Sequence, residues 1–424
     1  MTAEPITARK GHIRWFICAL LFAIVALNYI DRQVLSVLKP TLQGQYGWSE
    51  TGYADIAFWF QAAYGVGYVI FGRIVDRVGA KTGGVIAVTI WTLAHIAHVF
   101  FTSTRGFVMI RIPMGLGEAG LFPVTLKAAT DWFPRSERAF AIGVFNAGSN
   151  VGAIVAPFIV PLITLAYGWE MAFIVTGLLT LVWLAAWLLW YRKPREVKGI
   201  SGAELRHIES DPAEPQRPVA WSRLLRTRET YAYILGRAMI DPVWWTFLFW
   251  LPDFFSKRYG LDLKSYGPPL VVIYVMADVG SVLGGWGSSR LLRGGHSLST
   301  ARKLAMLACA CVVFPVGFAM YAPIWGAVAL IAMACAGHQG FSANLFALPS
   351  DVFPRWAVGS VVGLGGLSGA LGGMAMSKYA GWVLETLHHD YTPIFIFASV
   401  AYLLALLVVH LIVPRYAPAR LPEA

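Results

Sequence analysis

Long apolar runs recur along the whole chain, and they constrain its fold more than any other feature. An α-helix needs about 20 residues to cross a hydrocarbon core of about 30 Å, and a segment in lipid must satisfy its own backbone hydrogen bonds. The sequence therefore predicts an all-α membrane protein with twelve transmembrane helices. The predicted spans cover approximately residues 15 to 38, 52 to 72, 82 to 102, 106 to 128, 138 to 166, 170 to 191, 229 to 256, 266 to 289, 302 to 321, 323 to 348, 356 to 385 and 391 to 413.

Composition and charge agree with a membrane protein. Of the 424 residues, 57% are hydrophobic and 13% are charged, and the net charge is +11. If both termini lie in the cytoplasm, most basic residues fall on the cytoplasmic side. The predicted outer side carries five, namely Lys39, Arg105, Lys257, Arg258 and Lys264. This asymmetry is the positive-inside signal, so the charge indicates an orientation in the cell inner membrane and no nucleic-acid partner.

A polar stretch divides the chain into two halves. Residues 193–228 form the long polar segment, which contains Pro194 and Pro212. We interpret this segment as a cytoplasmic linker between an N-terminal six-helix bundle at 1–192 and a C-terminal six-helix bundle at 229–424. Within the linker, Ser201 and Glu204 fit a capping box and predict a short helix.

An internal repeat supports the division into halves. The motifs Asp131-Trp-Phe-Pro-Arg135 and Asp351-Val-Phe-Pro-Arg355 lie 220 residues apart, and the same offset places Gly152 on Gly372. Repeats of this kind predict two pseudo-symmetric bundles. Transporters built from repeated halves bind their substrates where the halves meet.

Two acids and two arginines lie deep inside predicted spans of the first half. Asp31 and Arg32 are in the first span, and Arg111 and Glu118 are nearly two helical turns apart in the fourth. Charge in the membrane is costly and usually marks a substrate or proton path. An ion-pair network that only holds the two helices together is the alternative. Two acids and two arginines favour a site at which an anion and protons bind.

Other polar side chains lie near the middle of their spans and are candidates for the same site. Arg237 and Asp241 are four residues apart and can instead pair with each other. His95 and His98 are interpreted as structural. The candidates for substrate binding are Tyr29, Arg32, Tyr64, Arg111, Asn150, Arg237, His338, Gln339, Asn344 and Ser368.

The loop between the second and third spans carries a specific motif. It reads Gly72-Arg-Ile-Val-Asp76-Arg77-Val-Gly-Ala-Lys81, and this pattern resembles the loop signature of the major facilitator superfamily. The resemblance implies twelve helices in two six-helix bundles and a gating role for Gly72, Asp76 and Arg77. The corresponding loop after the eighth span, which ends at Arg290, lacks the acid.

The resemblance narrows to one branch of that superfamily. The stretches Asn28 to Arg32, Arg111 to Glu118 and Asp131 to Arg138 resemble the anion:cation symporters, and those around Arg237, Asp278 and His338 resemble the hexuronate transporters. The resemblance implies proton coupling through Asp31 and Glu118. It implies that Tyr29, Arg32, Tyr64, Arg111 and Asn150 form or support the substrate pocket. An acid at the position of Asp31 resembles the aldonate transporters instead. Asp241 stands where the resemblance to hexuronate transporters implies a glutamate.

The sequence thus favours a proton-coupled symporter that imports a sugar-acid monocarboxylate, a hexuronate such as galacturonate or glucuronate, by alternating access. An aldonate of the galactonate type or another organic anion is the alternative substrate, and a proton-antiport exporter is the alternative transporter. An enzyme or a sensor is disfavoured, because no catalytic motif or metal-ligand cluster is found in the sequence. No cofactor or metal is expected. The expected partners are a small organic anion, protons and the lipid bilayer, and the family resemblance implies a monomer.

Overall fold

The structure is a computed structural model that describes residues 12–210 and 221–419. Within these ranges the chain is helical and contains no β-strand. The helices of the first half are α1 (Ile13–Tyr46), α2 (Glu50–Ala97), α3 (Thr104–Ala119), α4 (Leu121–Trp132), α5 (Arg135–Tyr167) and α6 (Trp169–Trp190). The linker contains α7 (Gly202–Ile208) and α8 (Trp221–Leu224). The second half contains α9 (Arg228–Tyr259), α10 (Gly267–Arg293), α11 (Leu298–Val313), α12 (Ile324–Leu345), α13 (Leu348–Val352), α14 (Arg355–Thr386) and α15 (Thr392–Ile412).

Ten helical stretches in the described part of the chain are long and apolar enough to cross a membrane. α2 counts once among them, although Gly79, with φ 79° and ψ 173°, interrupts it between two predicted spans. α9 has 32 residues but is not among the ten, since acids, prolines and tryptophans lower its hydropathy. Separating α2 at Gly79 and adding α9 would give the predicted twelve, and this count stays a prediction.

The same helix pairings occur in both halves. α1 packs on α5 as α9 packs on α14, and α2 packs on α3 as α10 packs on α12. Between the halves, α2 packs on α14 and α5 packs on α10. A Cβ at Gly152 would lie 2.3 Å from the carbonyl oxygen of Ala26, and a Cβ at Gly372 would lie 2.4 Å from that of Ala238. The two glycines that the sequence repeat aligns therefore make equivalent close approaches between helices.

The bundle has two faces, which we name by their elements. The linker face is where α1 begins at Ile13 and α6 ends at Trp190; the far face is where α1 ends at Tyr46 and α2 begins at Glu50. At the linker face, Ser201 caps α7 as predicted, since its Oγ accepts the N–H of Glu204 at 3.1 Å. The Glu204 carboxylate pairs with Arg14 at the start of α1, at 3.2 Å.

The two halves meet in the part of the bundle nearest the far face. Ser36 Oγ donates to the carbonyl of Leu248 at 2.7 Å, and Gln61 Nε2 donates to Ser377 Oγ at 2.6 Å. Toward the linker face, by contrast, some glycines of the facing helices α2 and α14 have open space beside them. A Cβ added at Gly72, Gly359 or Gly363 would meet nothing within 4 Å. The structure is therefore closed between its halves at the far face.

Candidate functional site

The centre of the site is a buried ion pair between α1 and α3. Arg32 Nη2 lies 2.7 Å from Glu118 Oε2, and Arg32 Nε donates to the same oxygen at 2.8 Å. Arg32 also donates to Asn28 Oδ1 at 3.2 Å. The other carboxylate oxygen of Glu118, Oε1, is buried without a hydrogen-bond partner among the described residues. Two guanidinium nitrogens thus contact one carboxylate oxygen. The pair is therefore not the bidentate arrangement in which each oxygen accepts its own hydrogen bond.

Aromatic rings surround the Arg32 guanidinium. Its Cζ lies 5.0 Å from the ring centroids of both Tyr29 and Tyr64. The rings of Trp245 and Phe60 follow at 5.4 Å and 5.7 Å. Distances below about 6 Å are those of cation–π contacts. Because Trp245 belongs to α9 and the other three rings belong to α1 and α2, Arg32 lies at the interface between the halves.

Arg111 also contacts the Phe60 ring, with its Cζ 5.4 Å from the centroid. Its side chain is buried, and its Nε has no hydrogen-bond partner in the described part of the chain. Both arginines line a small cavity with room for about one water molecule. Arg32, Arg111, Ser36, Tyr53 and Phe249 are among its lining residues. Two cationic side chains therefore line one small cavity.

Asp31 points away from this cavity, into the interior of the first half. Its Oδ2 accepts hydrogen bonds from Trp91 Nε1 at 3.1 Å and Thr180 Oγ1 at 3.0 Å. His95 Nε2 lies 3.4 Å from Asp31 Oδ1 and 2.8 Å from Thr176 Oγ1. Consecutive helical residues differ by about 100° in direction, so Asp31 and Arg32 cannot share a face. His95, interpreted as structural, is a direct neighbour of Asp31.

Arg237 and Asp241 pair with each other, the alternative that the sequence left open. Arg237 donates through Nε and Nη2 to Asp241 Oδ2 at 2.9 Å and 2.6 Å. The Arg237 side chain is 17% exposed, and its Cζ lies 4.4 Å from the Phe346 ring centroid. Asn150 of α5 faces Asp278 of α10 across the interface between the halves.

The remaining candidates belong to the second half, and three of them form hydrogen bonds to other residues of that half. His338 stacks on Trp244 at 5.0 Å, and its Nδ1 is 2.6 Å from the hydroxyl of Tyr402. Asn344 is fully buried, and its amide donates to backbone carbonyls of α10 and α12 at 3.0 Å and 2.9 Å. Ser368 Oγ hydrogen-bonds to the carbonyls of Ile234 and Gly365. Gln339 is half-buried. Direct substrate contacts for these four residues stay predictions.

The predicted gating residues lie at the linker face. Asp76 and Arg77 are exposed, and Gly72 is half-exposed with open space beside it. Within the ranges that the structure describes, neither Asp76 nor Arg77 makes an ion pair or a side-chain hydrogen bond. Their gating role stays a prediction.

Two residues, Phe60 near the site and Lys39 nearer the far face, are not singled out by the sequence pattern. Phe60 joins Arg32 and Arg111 through one ring, and aromatic residues are too frequent in membrane helices to stand out. Lys39, predicted on the outer side, is fully buried between Glu50 and Asp253. Its position directly after Leu38, at the end of the first predicted span, is the signal that could have indicated burial.

Comparison with known proteins identifies the family. The profile of the Major Facilitator Superfamily matches residues 21–377. The chain belongs to this superfamily. It is a multi-pass membrane transporter and not an enzyme.

The chain is similar to curated sugar-acid transporters of bacteria. It is 32% identical to the hexuronate transporter of Escherichia coli K12 over 408 residues, which cover 94% of each protein. It is 34% identical to the galacturonate transporter of Dickeya chrysanthemi over 65% of this chain and 81% of that protein. The D-galactonate transporter of Escherichia coli O6:H1 is 29% identical and covers 95% of this chain and 96% of its own length.

Among solved structures, the chain resembles a bacterial homologue of the human lysosomal transporter Spinster, with a TM-score of 0.69. That structure covers 98% of this chain, and 97% of its own length is matched, at 15% identity. A likeness at this identity shows the fold alone.

Proposed function

We propose that the protein is a proton-coupled symporter that imports a sugar-acid monocarboxylate, a hexuronate such as galacturonate or glucuronate. The observation that carries the proposal is the buried Arg32–Glu118 pair at the interface between the halves. A guanidinium there recognises a substrate carboxylate, and the similarity to hexuronate transporters supplies the substrate class. The linker face is the cytoplasmic side of the inner membrane in this proposal, and chain segments 1–192 and 229–424 are the two moving bundles.

Sharing of Arg32 couples the substrate to the proton. Within residues 12–210 and 221–419, the carboxylate that contacts Arg32 is that of Glu118, at 2.7 Å. When Glu118 takes up a proton its attraction for the guanidinium falls, and a substrate carboxylate can replace it as a bidentate partner. Substrate without a proton would leave its carboxylate and that of Glu118 competing for the Arg32 guanidinium. The two ligands therefore bind together, which is the requirement for symport.

Loading both ligands also removes the electrostatic obstacle to movement. A bare charge in the dry centre of a membrane is costly, and each partly loaded form leaves one charge without a partner. The fully loaded form has a neutral Glu118 and a substrate-paired Arg32. Arg111, which lines the same cavity, stabilises the anion further. The cavity has room for about one water molecule, so the two halves must separate to admit a sugar ring.

An aldonate such as galactonate is a second candidate substrate. Asp31 favours it, because an acid at this position resembles the aldonate transporters, and a D-galactonate transporter is among the similar proteins. Competition of unlabelled galactonate, galacturonate and glucuronate against labelled galacturonate separates the two. The substrate with the lowest inhibition constant is the better match.

Uptake into proteoliposomes tests the proposal. We expect labelled galacturonate to accumulate under an inward proton gradient and to stop accumulating when a protonophore is added. Glu118→Gln should lose accumulation but retain counterflow, because glutamine mimics the protonated acid. Arg32→Ala should lose both. Glu209→Gln and Arg293→Ala, which change exposed side chains, are the matched controls. Accumulation that ignores the protonophore would contradict proton coupling, and an inactive protein with all three substrates would contradict the substrate class.

A further inference from the structure

A buried charge cluster joins the two halves near the far face, two helical turns beyond Arg32. Lys39 Nζ lies 2.6 Å from Glu50 Oε2 and 2.8 Å from Asp253 Oδ2. The three side chains are between 0% and 2% exposed. Lys39 and Glu50 belong to the first half, and Asp253 belongs to the second. The Lys39–Asp253 pair is therefore an ion pair across the interface, where burial weakens screening by solvent.

Neighbouring groups complete the cluster. Gln43 Nε2 donates to Glu50 Oε1 at 2.8 Å, and the Tyr391 hydroxyl donates to Asp253 Oδ2 at 2.5 Å. His389, whose φ of 66° is in the left-handed region, places its Nδ1 3.3 Å from Glu50 Oε1. The Glu50, Asp253 and His389 ligand atoms are close enough to hold a metal ion. The Lys39 ammonium contacts both carboxylates, however, and so supplies the cation itself.

The cluster lies between the far face and the site. Arg32, Ser36 and Lys39 are spaced i, i+4 and i+7, which places them on one stripe of α1. Along this stripe, Arg32 faces Trp245, Ser36 donates to the Leu248 carbonyl, and Lys39 pairs with Asp253. Entry to Arg32 from the far face between α1 and α9 therefore requires Lys39 to leave Asp253. We propose that Lys39 is a latch that holds the far face closed and releases Asp253 when the protein opens toward that face. The inference rests on the transporter fold and not on the substrate or the proton.

Charge balance predicts which variants open the latch. One ammonium faces two carboxylates, so Lys39→Gln would leave two buried anions side by side and destabilise the closed state. Asp253→Asn removes the link between the halves and leaves Lys39 paired with Glu50. Glu50→Gln leaves a one-to-one Lys39–Asp253 pair and should keep the face closed. The exchange Lys39→Asp with Asp253→Lys keeps the charge count and the pairing across the interface.

Cysteine labelling from the far face measures the state of the latch. Ser36 is 1% exposed and lines the cavity, so Ser36→Cys should react with a membrane-impermeant maleimide only when the far face opens. The background is a variant in which the native cysteines are replaced by alanine, at positions Cys18, Cys309, Cys311 and Cys335. Lys264→Cys at the far face and Lys198→Cys at the linker face, both exposed, show in sealed cells which face the reagent reaches.

We expect the labelling rate of Ser36→Cys to rise at least tenfold with Lys39→Gln and severalfold with Asp253→Asn. Glu50→Gln and the charge exchange should stay within twofold of the background. Equal rates in the Lys39→Gln, Asp253→Asn and background proteins would overturn the latch, and so would an equal rise with Glu50→Gln. If Lys39→Gln does not fold, Asp253→Asn decides alone. The assay needs no substrate or proton gradient, so its failure is distinct from failure of the proposed function.

Discussion

Arg32 is held by a carboxylate on one side and by aromatic rings on the others. The planar guanidinium can donate two parallel hydrogen bonds and stack on rings at the same time, whereas a lysine ammonium is a compact charge that cannot do both. The four rings within 5.7 Å therefore make this position selective for arginine and not only for positive charge.

Arg32→Lys should accordingly weaken galacturonate binding at least tenfold at pH 6. Asp31→Asn should change the dissociation constant by less than threefold, because the Asp31 carboxylate faces Trp91 and Thr180 and not the cavity. Isothermal titration of the purified proteins measures both. Similar losses in the two variants would mean that Asp31 reaches the substrate, contrary to the geometry.

At the scale of helices, the closest approach between α1 and α5 depends on a missing side chain. A Cβ at Gly152 would lie 2.3 Å from the Ala26 carbonyl oxygen, so Gly152→Ala must push the helices apart. Overpacking of this kind costs about 1 to 3 kcal/mol. Thermal unfolding in detergent should show a lower melting temperature. Gly143→Ala is the control, because a Cβ there meets nothing within 4 Å; it should be neutral or stabilising, and an equal loss would contradict the packing argument.

A second prediction at this scale concerns the linker face, where Glu137 at the start of α5 accepts hydrogen bonds from Arg14 of α1 and contacts His207 of α7. Burial acts to raise the pKa of Glu137, but the hydrogen bonds from Arg14 and His207 outweigh it and hold the pKa below its ordinary value of 4.5. A depressed folded-state pKa contributes stability above the unfolded value and loses it as pH falls through the folded value.

Glu137→Gln should therefore lower the melting temperature at pH 7 and reduce the further loss between pH 6 and pH 3. Thermal unfolding scans at pH 7, pH 6 and pH 3 compare the melting temperature of Glu137→Gln with that of the wild-type protein. Glu209→Gln is a poor control here because Glu209 pairs with Arg195; Glu170→Gln, at the far face, is the better one. If Glu137→Gln loses as much stability as the wild-type protein between pH 6 and pH 3, the contacts of Glu137 with Arg14 and His207 do not contribute to the acid sensitivity of the fold.

For the molecule as a whole, the sequence predicts what depends on local pattern and repetition. The apolar runs predict the long helices, and the 220-residue offset aligns Gly152 with Gly372, which make matched close approaches. Charge inside a span singles out Arg32 and Glu118, which the structure brings into contact. Pairings between distant residues leave no local signal. Lys39 and Asp253 are one such pair, and Arg32 with Trp245 is another. The sequence groups Asp31 with Arg32, but the two adjacent side chains point about 100° apart; proton coupling through Asp31 stays a prediction.

The central claim is that one guanidinium is shared between the Glu118 carboxylate and the substrate, and the pH dependence of binding tests it most directly. We predict that the dissociation constant of galacturonate for the wild-type protein rises toward tenfold per pH unit above the pH at which Glu118 releases its proton, as linkage to one proton requires. The same constant in Glu118→Gln should stay flat across pH 5 to 9. Parallel curves for the two proteins would contradict the claim.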